Sequence, residues 1–223
     1  MGILALSTMK GGSGKSTVAI CLAAEWLKQG KSVALIDTDP QASVVRWRQS
    51  GEDLQALPLT SAGAAEVETE LLRLVAAGTD HIVVDTPGFR AEVTEKVLAL
   101  ADLALVPLKA SPVDFEVAAD TVDMIQGISS ARRQGGTRGA AKKTSLDFLF
   151  LLSQTVRDSV ISRHMRAELK QAGYPLMKVE LINRVLYSEA ALLGSAPCYL
   201  APGSQAAKEV KSLAKELDQF MKK

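Results

Sequence analysis

The chain has 223 residues, 47% hydrophobic and 23% charged, with a formal net charge of +1. That length and balance allow one large domain with a substantial core and exclude a disordered or low-complexity polypeptide. Cys21 and Cys198 form neither a CxxC pair nor a disulfide framework, no signal-peptide pattern opens the chain and no long apolar run interrupts it, which predicts a cytoplasmic protein.

In chain order, the apolar run Gly2 to Thr8 predicts a strand and the stretch Val18 to Leu27 a helix. Between them, Lys10 to Thr17 read Lys-Gly-Gly-Ser-Gly-Lys-Ser-Thr. Strand, glycine-rich turn and helix in that order make a phosphate cradle. Gly11, Gly12 and Gly14 carry no side chains, so backbone N–H groups around Ser13 can turn toward a polyphosphate at the positive end of the helix. Lys15 would reach the β- and γ-phosphates of ATP, and Ser16 would offer its hydroxyl to Mg²⁺.

Further along, Ser32 to Asp37, His81 to Asp85, Leu103 to Leu108 and Leu146 to Leu152 read as buried strands. Helical patterns lie near Gln41 to Gln49, Ala64 to Ala77, Val93 to Ala101, Phe115 to Ile128 and Val160 to Gln171. Gly30, Gly78 and Gly173 stand where helices should end. The alternation predicts a single-domain α/β protein over residues 1–223, with a mostly parallel twisted sheet flanked by helices on both faces, as in P-loop NTPases. Ligands of such sheets gather beyond the carboxyl ends of the strands.

Two predicted strands end in aspartates at that edge, in Asp37-Thr38-Asp39-Pro40-Gln41 and in Asp85-Thr86-Pro87-Gly88. Each alone reads as a turn or N-cap residue. Beside a phosphate loop, Asp85 is placed to hold Mg²⁺ directly or through water, the Walker B role.

The loop departs from G-x-x-x-x-G-K-[ST] by carrying Met9 in place of the first glycine, and it adds a second lysine, Lys10. K-G-G-x-G-K-[ST] is the deviant Walker A box, and through it the chain resembles the ParA/MinD ATPases. Asp37 to Gly51, Ser111 to Phe115 and Ser204 to Val210 are similar to stretches of the small ParF-like partition ATPases. The resemblance implies ATP and Mg²⁺ as cofactors, with Lys10, Lys15 and Asp39 catalytic and with Ser16, Asp37 and Asp85 around the metal. In that family the lysine matching Lys10 reaches across a nucleotide-sandwich dimer, and the aspartate matching Asp39 positions the attacking water. Adenine contacts are implied around Ser153 to Thr155 and near Pro202.

It further implies slow hydrolysis stimulated by a ParB-like or ParG-like adaptor, and ATP-dependent, sequence-independent DNA binding on the nucleoid. Arg157, Arg163, Arg166, Arg184, Lys208 and Lys211 are the candidate DNA contacts. As in the ParF-like subgroup, no helix-turn-helix domain is expected before the P-loop. The stretch Ala131 to Ser145, with Arg132, Arg133, Arg138, Lys142 and Lys143 and no acid, reads as a solvated surface loop or as a contact to the phosphate backbone of nucleic acid. Trp26 and Trp47 read as packing residues, and His81 and His164 have no partners for chemistry.

The rival reading is MinD-like membrane positioning, which needs a C-terminal amphipathic helix. Gln205 to Lys223 carries an apolar stripe at Val210, Leu213, Leu217 and Phe220, but its polar face mixes acids with lysines. Packing onto the sheet explains the stripe better. An iron–sulfur carrier would need closely placed cysteines, which the positions of Cys21 and Cys198 do not offer. A nucleotide-binding adaptor that does not hydrolyse would have no use for Asp39 and Asp85.

Overall fold

Strand β1 (Gly2–Leu6) runs into the glycine-rich turn and helix α1 (Lys15–Lys28) leaves it. The chain continues through β2 (Val33–Asp37), α2 (Ser43–Gln49), β3 (Leu59–Ser61), α3 (Val67–Ala76), β4 (His81–Asp85), α4 (Glu92–Leu100), β5 (Leu103–Leu108) and α5 (Pro112–Gly135). It closes with β6 (Asp147–Thr155), α6 (Val160–Gln171), β7 (Leu181–Ile182), α7 (Val185–Leu192), α8 (Pro197–Leu200) and α9 (Gln205–Met221). This computed structural model describes residues 2–135 and 145–221.

The seven strands form one sheet in the order β3-β2-β4-β1-β5-β6-β7, with every pairing parallel. All residues of β1, β2, β4 and β5 are buried, because helices cover both faces. Side chains alternate between two cores: Leu4 and Leu6 of β1 join α1, α2 and α9 on one face, while Ile3 and Ala5 join α3, α4, α5 and α6 on the other. A strand buried on both sides shows no polar alternation, which is why these segments read as continuous apolar runs.

Helix α1 leaves β1 toward one face, whereas α4 and α5 leave the neighbouring strands β4 and β5 toward the other. The carboxyl end of β1 is therefore a topological switch point, where open parallel sheets leave a crevice for a ligand. Gly30, Gly78 and Gly173 take positive φ values of 78°, 76° and 74° just past α1, α3 and α6, as expected for helix ends.

The apolar stripe of α9 is used internally. Val210, Leu213 and Leu217 are buried in the same cluster as α1, while Phe220 is 38% exposed. At the amino-terminal edge of the sheet the Trp26 and His81 rings stack with centroids 4.2 Å apart, and Asp218 of α9 accepts a hydrogen bond from Trp26 Nε1 at 3.1 Å. Asp218 also pairs with Lys31 and lies 3.4 Å from His81 Nε2. His81 therefore has a charged neighbour while its ring packs on Trp26.

One expectation is corrected. Arg132 is not part of a solvated basic surface: it is buried, and its Nη2 donates to the carbonyl of Ala101 at 2.7 Å and to that of Leu98. The guanidinium thus closes the carbonyl end of α4, where helix carbonyls lack partners. Arg133 is exposed, and Arg138, Lys142 and Lys143 lie outside the described residues.

Candidate nucleotide site

Parallel register sets the frame of the site. Leu6, the last residue of β1, pairs with Asp85, and Asp85 pairs with Asp37, so the phosphate loop and both strand-end aspartates come level at one edge. The loop between β1 and α1 needs glycine at its end, where Gly14 is the left-handed N-cap of α1 with φ 94°. A Cβ on Gly88, just after β4, would lie 2.8 Å from the Gly11 Cα, so the segment following Asp85 packs directly on the loop backbone.

The loop carbonyls are tied back by protein donors. Gln154 Nε2 donates to the Gly12 carbonyl at 3.0 Å, Ser153 Oγ donates to the Ser13 carbonyl at 2.6 Å, and Lys15 Nζ donates to the Lys10 carbonyl at 3.4 Å. In a trans peptide the C=O of one residue and the N–H of the next point opposite ways. The N–H groups of Gly11, Ser13 and Gly14 are thereby turned away from these donors, and none of them finds a backbone partner among the described residues. That is the electrostatic form of an anion cradle.

Ser16 Oγ donates to Asp85 Oδ2 at 2.6 Å, while Asp85 Oδ1 is buried without a hydrogen-bond partner. Burial, opposed mainly by the Ser16 hydrogen bond, pushes the Asp85 carboxyl up to about 7. Buried carboxylate oxygens are normally satisfied, so this one asks for a ligand. Among the described residues no cluster of three or more His, Cys, Asp or Glu is arranged to hold a metal alone. A hydroxyl beside a carboxylate oxygen without a partner suits Mg²⁺, which keeps waters and phosphate oxygens and needs one or two protein groups. Ser16 and Asp85 fit it, and when bound it would neutralise phosphate charge.

Asp37 is buried and fully engaged: Oδ1 accepts from the Asp39 N–H at 3.1 Å, and Oδ2 accepts from the N–H groups of Val44 and Val45 at 3.1 and 3.3 Å. It therefore closes the first turn of α2 while standing beside Asp85, and burial shifts its carboxyl upward. Asp39 is partly exposed and its Oδ1 accepts from the Gln41 N–H at 2.8 Å. Burial lowers the Lys15 ammonium below its ordinary value, opposed by Asp85 and then Asp39.

Lys10 is held within its own chain. Its Nζ lies 2.9 Å from Asp114 Oδ2 at the start of α5, and Asp114 is buried and also takes the Ser111 hydroxyl. Any reach across to a partner requires leaving this carboxylate.

Beside the loop lies a cavity of about 240 Å³, bounded by Gly14 and Thr17, by Ser153 and Gln154 of β6, by Asn183 and Arg184, and by Trp47 and Tyr187. Its apolar walls and amide groups suit a nucleobase. Ser153 and Gln154 fall where adenine contacts are expected; Thr155 is buried and does not line the space, and neither does the exposed Pro202. Trp47 does more than pack: it walls the cavity and donates from Nε1 to the Ser195 carbonyl at 2.8 Å. Asn183 and Tyr187 carry no signal in the sequence, because they come just after β7, whose two residues show no period.

The basic candidates do not form one cluster of free charges. Arg157, Arg163, Lys208 and Lys211 are exposed. Arg184 makes a bidentate pair with Glu209, with Nη2 2.5 Å from Oε1, and Arg166 donates to the Met177 carbonyl at 3.2 Å near Glu180.

Residues 4–197 match the family model described as the CobQ/CobB/MinD/ParA nucleotide binding domain. The maintenance of carboxysome distribution protein A of Halothiobacillus neapolitanus is 29% identical over 219 residues, spanning 96% of this chain and 95% of that protein. The chromosome-partitioning ATPase Soj of Thermus thermophilus is 28% identical over 244 residues, spanning 96% and 94%. An ATP complex of a Cyanothece McdA variant has the same fold, with a TM-score of 0.77 over 98% of this chain and 96% of that one at 18% identity. With a family model covering most of its length on a seven-stranded parallel sheet, this chain belongs to the CobQ/CobB/MinD/ParA nucleotide-binding family.

Proposed function

We propose that this protein is a Mg²⁺-dependent ATPase that dimerises on ATP, binds DNA without sequence preference and positions or partitions an intracellular cargo. One observation carries the nucleotide chemistry: the unpartnered Asp85 Oδ1 stands behind Ser16 at the mouth of a loop whose carbonyls are tied back. The near end-to-end likeness to a carboxysome-distribution protein and a chromosome-partitioning ATPase supports the positioning role.

In this reading Gly11, Gly12, Ser13, Gly14 and Thr17 bind the phosphates, and Lys15 neutralises the β- and γ-oxygens. Ser16 and Asp85 hold Mg²⁺, with Asp37 setting the position of α2 beside them. Asp39 orients the attacking water, and Lys10 leaves Asp114 for the partner's nucleotide. Charge supplied to the transferring phosphoryl group is the main catalytic device of such sites. Exposed Arg157, Arg163, Lys208 and Lys211 supply the DNA contacts, with Arg184 secondary because Glu209 already neutralises it. A ParB-like or ParG-like adaptor stimulates turnover, and the ATP form is nucleoid-associated in the cytoplasm. Burial of the α9 stripe gives no support to a membrane role, and no helix among the described residues is long and apolar enough to cross a membrane.

The test is binding to a random-sequence duplex with Mg²⁺ and either ATP or ADP over a salt series. ATP-dependent binding that weakens steeply with salt is expected, the slope counting neutralised phosphates. No binding with either nucleotide would overturn the DNA-based reading.

A further inference from the structure

Three lysines stand around the phosphate loop, and they differ in what balances them. Lys10 is paired with Asp114 at 2.9 Å, and Lys15 Nζ donates to the Lys10 carbonyl at 3.4 Å. The third, Lys109, follows the last residue of β5, beside β1 in the sheet. A Cβ placed on Gly12 would stand 3.9 Å from its Nζ. Lys109 is half-buried, and among the described residues its ammonium makes no ion pair or hydrogen bond.

The position of Lys109 along the loop is informative. The cavity suited to a nucleobase adjoins Gly14 and Thr17 and does not involve Gly12. Gly12 therefore lies toward the other end of a bound nucleotide, where the terminal phosphate carries the most charge. An uncompensated ammonium on a flexible four-carbon stem is suited to meet that charge as a point cation. The turn from β5 to α5 thus does two things: Asp114 occupies Lys10, and Lys109 brings a replacement cation to the same loop.

Building on the nucleotide reading above, we propose that Lys109 is a phosphate-contacting residue of this site, supplied by the same protomer and directed at the terminal phosphate of a nucleoside triphosphate. Its contribution falls on ATP rather than ADP, so it sharpens the discrimination that an ATP-dependent switch requires.

Calorimetric titration with Mg²⁺ and either ADP or a non-hydrolysable ATP analogue tests this. Wild type, Lys109→Gln, Lys109→Arg and Lys15→Ala are compared, with thermal unfolding as the check that each variant folds. The expected result is an affinity for the analogue about tenfold weaker in Lys109→Gln, with ADP changed by less than about twofold and Arg restoring most of the loss. Analogue affinity equal to wild type in Lys109→Gln, or equal losses for both nucleotides, would overturn the assignment while Lys15→Ala still reports a working cradle. Failure of the wild-type protein to bind either nucleotide would overturn the nucleotide reading itself.

Discussion

The two edges of the sheet both carry buried polar side chains, but they treat them in opposite ways. At the amino-terminal edge, Asp218 takes the Trp26 N–H and the Lys31 ammonium and lies beside His81 Nε2, so these groups are answered within the chain while His81 Nδ1 is not. At the carboxyl edge, Asp85 Oδ1 and the hydroxyls of Ser7 and Ser13 are buried without partners. Unpaired buried polar groups cost free energy; His81, Thr94, Arg132, Ser162 and Tyr187 also carry such atoms, so it is the place of Asp85 Oδ1 beside the phosphate loop, and not a count of unpaired atoms, that points to a ligand there. The closed network holds α9 in place, whereas the open one is completed by what binds.

Substitutions should separate the two edges, beginning with the largest effect. Asp85→Asn removes the carboxylate proposed to face Mg²⁺, and Mg²⁺-dependent ATP affinity should fall by about a hundredfold, measured by titration. Without nucleotide its thermal stability should hold or rise, since burial disfavours the carboxylate it replaces. A large loss of apo stability would break the distinction.

Asp218→Ala should behave in the reverse way. Leaving Lys31 and the Trp26 N–H without their partner should cost about 2 kcal/mol in denaturant unfolding, less than a deeply buried pair because Asp218 is partly exposed. Its nucleotide affinity should match wild type.

The smallest effect is one of pH. Burial, with Lys31 nearby, lowers His81 from its ordinary 6.5 to about 4. The unfolded chain therefore takes up this proton first: stability from His81 is complete above about 6.5 and declines as pH falls toward 4, by about 1–2 kcal/mol after discounting for solvent. His81→Phe keeps a ring on Trp26 and should flatten that decline, as followed by melting temperature across the window. An unchanged slope would show that the lower network titrates elsewhere.

Much of the carboxyl edge was legible because its residues are contiguous. Lys10 to Thr17, Asp37 to Gln41 and Asp85 to Gly88 carry their chemistry in short runs, and the long apolar strands revealed the sheet that levels them. The three residues of β3 and two of β7 were too short to show a period. The cavity beside the loop was hidden because its walls come from four separate stretches of the chain. Pairing across the chain was equally invisible: Lys10 meets Asp114 across 104 positions, and Asp218 meets Lys31 across 187. Arg132 misled for a related reason, since five basic residues without an acid suggest solvent, but carbonyls at the end of α4 can hold a guanidinium as well as a carboxylate can.

In the proposed mechanism the open edge becomes an ATP-dependent interface once Lys10 exchanges Asp114 for a partner's nucleotide. Light scattering during size-exclusion chromatography, with Mg²⁺ and either ATP or ADP, tests it most directly on wild type and Lys10→Ala. Wild type should be dimeric with ATP and monomeric with ADP, and Lys10→Ala should stay monomeric while keeping part of its nucleotide binding. A Lys10→Ala protein that dimerises on ATP as fully as wild type would contradict it.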